Sequence, residues 1–364
     1  MTTKRIPTII DGDGHVYEDF EAIWALMPEL LRSERQTKFH VFPDLDHLHH
    51  PVGKVPPRSF ESGVNHASWT KFADEAGIAV SVLYPTWGLS YGRITNVQWA
   101  RATTRAYNDW LFNAYLSKSS RFRGMGLIPL QDPVSAAEEL RRIVTELGMC
   151  GAMLPSTGFK GLLGDRAYWP VYETANELGC ALAIHGGAHS DLGLDAMNVF
   201  SGVHALGHPF GILTNFSSLT FNGVFEAFPN VRFGFMEAGV AWVLMALERF
   251  DGSYKAFTPY DPGGELLRLE PGEAVSDRLL THLRGGRIFI GCEGEELMLA
   301  HAVKRIGRTP FVYSSDFPHE VNPQICRHEI EEILESPDMD DDDKEAILHL
   351  NAERLYGIPA LCNA

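Results

Sequence analysis

Short apolar runs alternate along this chain with longer stretches of amphipathic spacing, and the alternation continues almost from end to end. The first run, at 6–15, reads Ile-Pro-Thr-Ile-Ile-Asp-Gly-Asp-Gly-His and breaks off in polar residues at alternate positions: Asp11, Asp13 and His15. Further runs lie at 78–84, 124–130, 150–154, 180–185, 231–237, 287–292 and 311–315. Most are nearly continuous in apolar residues rather than alternating, which predicts parallel strands covered on both faces. Between them the spacing predicts helices at 20–32, 66–76, 96–116, 133–147, 167–178, 209–228, 240–254, 295–306 and 343–356. Pro133 opens one of these, and Gly77, Gly148 and Gly179 close others. Eight strand–helix units predict an α/β fold, the (β/α)8 TIM barrel. An open doubly wound sheet fits less well, because Gly12 and Gly14 do not continue into a G-x-G-x-x-G loop leading directly to a helix.

One stretch breaks the rhythm. Residues 40–65 carry Pro43, Pro51, Pro56 and Pro57 together with His47, His49 and His50. The histidines resemble a metal cluster, but so long an irregular stretch is better read as an inserted, solvated, lid-like loop after the first strand. The expectation is a single domain over 1–364, with a closing helix at about 343–357.

Length and composition narrow the function. A chain of 364 residues suits a barrel with insertions. A net charge of −16 argues against binding to nucleic acid or to an anionic membrane. Part of that charge is one run at 338–343, read as a solvated loop. The 5 cysteines are widely spread and form no Cys-x-x-Cys pair, which predicts reduced thiols in a cytoplasmic protein. No apolar run approaches the roughly 18 residues of a membrane span, and no apolar signal segment is expected.

The chemistry gathers where the strands end. Side chains two apart on a strand face the same way, so Asp13 and His15 point together. The fifth run ends in His185, the sixth in Glu237, the seventh in Glu293, and Asp316 follows the eighth. Barrel enzymes carry their reactive groups at this end of the strands. Two imidazoles and two carboxylates suit a divalent ion, zinc first and manganese second. Such an ion lowers the pKa of bound water or polarises a substrate oxygen. Glu237 is then either a ligand or an acid–base group beside the ion.

The same residues carry a family resemblance. Asp-Gly-Asp-Gly-His, Ala-Ile-His-Gly-Gly, Phe-Gly-Phe-Met-Glu-Ala-Gly, Tyr-Ser-Ser-Asp-Phe-Pro and the closing Asn-Ala-Glu-Arg-Leu-Tyr-Gly, in this order, resemble the amidohydrolase superfamily. More narrowly they are similar to its branch of aminocarboxymuconate-semialdehyde decarboxylase and related enzymes. His-Pro-Phe-Gly, from His208, is similar to that branch too. The resemblance covers about residues 6–357 and implies that His15, His185 and Asp316 are metal ligands. Asp13 then stands for the acidic variant of the family's opening His-x-His. Members often have a catalytic histidine after strand six, where this chain has Glu237. His208, placed by this reading in a loop before the helix at 209–228, either supplies the missing imidazole or takes no catalytic part. The candidates for acid–base work are therefore Asp316, Glu237 and His208.

The activity this implies is non-oxidative decarboxylation of an aromatic or unsaturated carboxylic acid. The alternative is metal-dependent hydrolysis of a C–C, ester or amide bond, and a third reading is a metal-stabilised binding protein without turnover. Trp69, Trp87 and Trp242 suit a planar substrate, although packing alone explains aromatics in a barrel. Arg58 and Arg93 are candidate partners for a substrate carboxylate. The expected partner is a small aromatic or carboxylic-acid molecule, and the resemblance implies a homodimer.

Overall fold

Eight parallel strands pair in chain order into one sheet: β1 Ile10–Val16, β2 Val80–Pro85, β3 Phe122–Leu127, β4 Gly151–Pro155, β5 Ala181–His185, β6 Arg232–Phe235, β7 Ile288–Cys292 and β8 Phe311–Tyr313. This computed structural model describes residues 8–33, 41–43, 64–189, 191–260, 267–319 and 321–360. Nearly every strand residue is buried, because the inner face fills the barrel and the outer face is covered by helices. The ring closes just beyond the last strand: Asp316 N donates to Asp13 O at 2.9 Å and His15 N to Phe317 O at 2.7 Å. The fold is the TIM barrel expected from the alternation.

The closing helix Asn351–Tyr356 lies beneath the barrel. Arg232, at the start of β6, donates Nε to Leu355 O at 2.7 Å, and Asn351 donates Nδ2 to Phe311 O at 2.7 Å. Tyr356 reaches upward and donates its hydroxyl to Gly12 O at 2.6 Å, while Tyr84 of β2 donates to Tyr356 at 2.8 Å. This support meets β1 where its register with β2 shifts between Asp11 and Gly14. A bulge there turns the following side chains toward the barrel mouth.

The structure corrects several expectations. The helix expected at 209–228 runs instead from Phe200 to Phe221, with Pro209 inside it, followed by a turn of helix at Val224–Ala227. Pro209 lacks one N–H, but burial of Val203, Gly207, His208 and Ile212 outweighs that loss. His208 therefore sits on a helix, not in a loop. Two helices left unassigned by the spacing are present, Val275–Arg284 and Pro323–Glu335, the second opened by an Asn322 cap and Pro323. Most of the proposed lid at 40–65, with His47, His49, His50 and Arg58, lies outside the described residues. Of its described part, Val41 and Phe42 are core. No helix of the described residues is long and apolar enough to cross a membrane.

Candidate active site

The site grows from β1. Asp11 is buried, and its Oδ1 accepts from Ser315 N at 2.9 Å and from Asp13 N at 3.2 Å, while Ser315 donates its hydroxyl to Oδ2 at 2.9 Å. One carboxyl thus clips the ends of β1 and β8 together, and burial pushes it up to about 7. Gly14 is required beside it, because a Cβ there would overlap the Trp69 ring. Trp69 donates Nε1 to His15 O at 2.9 Å. It is fully buried, a support of the strand rather than a wall for a planar substrate. Trp242 is likewise core.

His15 donates Nδ1–H to Pro85 O at 2.8 Å, which leaves its Nε2 as a lone pair facing the interior. That Nε2 stands 3.6 Å from Asp13 Oδ1 and 3.3 Å from Asp316 Oδ1. Burial, then His319 and His185, hold the His15 imidazole neutral, well below its usual range. His185 Nε2 lies 3.2 Å from the other Asp13 oxygen, and its Nδ1 lies 3.2 Å from Glu237 Oε2. Burial alone would lower His185, but the carboxylates of Asp13 and Glu237 raise it to about 10. Asp13 itself is pushed up to about 6, chiefly by burial and against the pull of His185.

Glu237 continues the chain of contacts to His208, whose Nδ1 is 2.7 Å from Glu237 Oε2. Although burial opposes it, His208 and His185 hold the Glu237 carboxyl in its ionised form. Gly186 makes room for this pair, since a Cβ there would stand 2.5 Å from His208 Nδ1 and 2.6 Å from Glu237 Oε2. Glu237 and Asp316 both have positive φ, 59° and 53°, a region costly for a side-chain-bearing residue. Such strain persists where the surroundings over-determine a position, and it clusters at functional sites.

The six residues proposed from the sequence as ligands or acid–base groups, Asp13, His15, His185, His208, Glu237 and Asp316, join one connected group at the C-terminal mouth. Glu293 is exposed and stands apart from the converging donors. Two buried histidines escaped the reading. His189 packs its ring on His208 at 4.7 Å, with Gly207 admitting it. His319 pairs with Asp316, Nδ1 to Oδ1 at 2.7 Å. Its signal was the Asp-Phe-Pro-His spacing, in which a proline-bearing turn returns the fourth residue to the first. Arg93 is exposed at the end of a 3-10 turn.

The donor set fits a divalent metal. Ligand atoms of Asp13, His15 and His185 lie within 4.8 Å of one another, as do those of His15, Glu237, Asp316 and His319. Asp13 Oδ1, His15 Nε2 and His185 Nε2 are buried and make no hydrogen bond among the described residues. Buried polar atoms are costly to leave so, and a cation shared between them removes the cost. Nitrogen and carboxylate oxygen in equal parts suit zinc or manganese.

Comparison with known proteins agrees. A family model described as amidohydrolase matches residues 47–358. The 2-amino-3-carboxymuconate-6-semialdehyde decarboxylase of Dictyostelium discoideum is 31% identical over 132 residues, which are 36% of this chain and 36% of that enzyme. The gamma-resorcylate decarboxylase of Polaromonas sp. is 28% identical over 238 residues, 61% of this chain and 67% of that enzyme. Among solved structures, the 5-carboxyvanillate decarboxylase of Novosphingobium aromaticivorans superposes with a TM-score of 0.71 at 18% identity, covering 98% of this chain and all (100%) of that one. That structure holds manganese and 4-hydroxy-3-methoxy-5-nitrobenzoic acid.

Proposed function

This chain belongs to the amidohydrolase family, and from that premise we propose that it is a metal-dependent decarboxylase of a hydroxylated aromatic acid. The observation that carries the proposal is the continuous arc of donors, buried at His15, Asp13, His185 and His208 and half-buried at its Asp316 and Glu237 members, in a chain whose matched relatives are decarboxylases. Asp13, His15, His185 and Asp316 would hold the ion. When bound there it would supply Lewis-acid polarisation of a substrate carboxylate and a neighbouring hydroxyl. Manganese is the ion we propose first, because the superposed N. aromaticivorans structure carries it and a half-carboxylate donor set suits it. That reverses the order expected from the sequence.

The protein's own part is to manage one proton. Decarboxylation breaks the bond from ring carbon to carboxylate, leaves the electron pair on that carbon and releases carbon dioxide, so the carbon must gain a proton. Asp316 is the group proposed to pass it on: it takes a proton from the substrate's ring hydroxyl as the acid binds, delivers it to the carbon, and is left as the carboxylate, the product's hydroxyl regaining its proton from solvent. His208, held by the ionised Glu237, is proposed to orient the substrate's hydroxyl or carboxylate on the opposite side. His15 and His185 are fully buried, which strengthens their interactions with the neighbouring carboxylates. Four described cysteines are buried free thiols, which supports a reducing, cytoplasmic setting; the homodimer rests on the family resemblance alone.

The test is a panel of hydroxybenzoates and carboxyvanillate incubated with manganese-loaded protein, with carbon dioxide trapped and the aromatic product identified. Stoichiometric carbon dioxide is the expected result. Asp316→Asn and Glu237→Gln should each lower turnover by about 10²–10⁴-fold, the usual worth of a positioned proton-transfer group. Cleavage of esters or amides on the same protein, with no carbon dioxide from any acid, would instead assign it to the hydrolases.

A further inference from the structure

The end of β2 contributes none of the converging donors, yet it touches two of the rings beside them. Pro85 O takes the Nδ1–H of His15, and the next residue, Thr86, places its hydroxyl 3.0 Å from His319 Nε2. Thr86 is fully buried and His319 is 8% exposed, so water does not compete for these bonds. The other nitrogen of His319 lies 2.7 Å from Asp316 Oδ1, and its backbone N–H donates to Asp316 O at 2.9 Å. Its ring also lies over that of His15, with centroids 4.2 Å apart and planes 30° apart.

These contacts share one direction. With Thr86 donating to Nε2, the imidazole is the Nδ1–H tautomer and donates to the Asp316 carboxylate. Asp316 has φ 53°, which its own side chain does not favour, and the turn holding it is capped by His319 at both the carbonyl and the carboxylate. A ligand carboxylate with one oxygen engaged in this way has its orientation fixed, and partners of this kind set the affinity of a metal centre.

We infer that Thr86 and His319 form a positioning relay that fixes the carboxylate of Asp316 and shields the His15 ring. It rests on the reading of Asp316 as a metal-holding residue. Thr86 sets the tautomer and tilt of His319, and His319 sets Asp316. Neither touches the substrate.

The test compares the parent with His319→Asn, His319→Phe and Thr86→Val. Manganese affinity is read by competition with a chelating indicator, and unfolding temperature is read with and without manganese. Asparagine keeps a donor where Nδ1 stands, whereas phenylalanine keeps the stacked ring and loses the donor. The Phe variant should bind manganese about 10–100-fold more weakly, the usual cost of losing such a partner. Without metal its unfolding temperature should fall only modestly, by the cost of an unpartnered Thr86 hydroxyl, and manganese should raise it less than it raises the parent's. The Asn variant should recover most of the affinity, and Thr86→Val should fall between them. In turnover, kcat should follow this order while KM stays level. A Phe variant that binds manganese as the parent does overturns the inference and leaves the proposed function standing. Equal losses in Asn and Phe variants also overturn it, by making His319 a direct ligand. A parent that binds no manganese removes the proposed function and this inference together.

Discussion

His189 illustrates how a single buried residue sets a property of the whole protein. Burial, reinforced by the neighbouring His208, lowers its imidazole to about 3, so the folded chain keeps it neutral through the mildly acidic range. An unfolded histidine takes up a proton near its ordinary value of 6.5. Below that value the unfolded state binds the extra proton, so this residue makes stability fall as pH drops toward about 3. Replacing it with glutamine removes the titration. Thermal unfolding followed from pH 7 to pH 4 should therefore show a shallower decline in His189→Gln than in the parent. An unchanged slope would mean that His189 is already charged in the fold. At the same scale, the left-handed φ of Asp316 and Glu237 marks the proposed proton-transfer group and the carboxylate that holds His208.

At the scale of elements, the site is a junction of strand ends braced from outside the sheet. β1 brings Asp13 and His15, β5 brings His185, and the turns after β6 and β8 bring Glu237 and Asp316. Asp11 ties β1 to Ser315, and the helix His66–Ala76 backs the turn after β8, with Phe72 stacked on Phe317 at a centroid distance of 3.7 Å. From below, Tyr356 holds the β1 carbonyl at Gly12. Tyr356→Phe removes that donor and also the acceptor of the Tyr84 hydroxyl, leaving buried polar groups unpaired. The loss should be about 1–3 kcal/mol in denaturant-induced unfolding. Because this β1 segment carries two donors, metal affinity should fall with it. Stability lost at unchanged metal affinity would show the helix to be a plug with no influence on the site.

Across the whole molecule, the donors come from strands distributed around the barrel, so one ion would tie β1 and β5 to the turn after β8. Metal that binds only the folded chain stabilises it by mass action, by about 2.7 kcal/mol at a hundredfold excess over Kd. Manganese should therefore raise the unfolding temperature, a chelator should reverse the rise, and an Asp13→Ala/His185→Ala variant should show neither effect. A rise of the same size in that variant would place the bound ion elsewhere on an acidic chain of net charge −16.

How much of this was legible follows from the range of the forces involved. Hydrophobic periodicity is local, so the apolar strand runs and most helices could be read directly, and the parallel barrel followed from their alternation. The helix at Phe200–Phe221 was misread because a proline was taken at its usual meaning as a start, whereas packing over the barrel mouth carries the helix through Pro209. Asp13, His15, His185, Glu237 and Asp316 were legible because each stands where an apolar run stops, and in a parallel barrel all such stops face one mouth. His319 was passed over although its Asp-Phe-Pro-His spacing offered a signal. The roles of Thr86 and His189 were not legible, since nothing in their local pattern distinguishes them from ordinary loop or helix-cap residues. Their partners lie in other elements, and only closure of the ring brings Thr86 to His319 across 233 positions of sequence. By itself, then, the order of residues determined the fold and which side chains meet at its mouth. The tertiary structure decided how those side chains are oriented and which protons they keep, because hydrogen-bond direction and burial depend on neighbours distant in the chain.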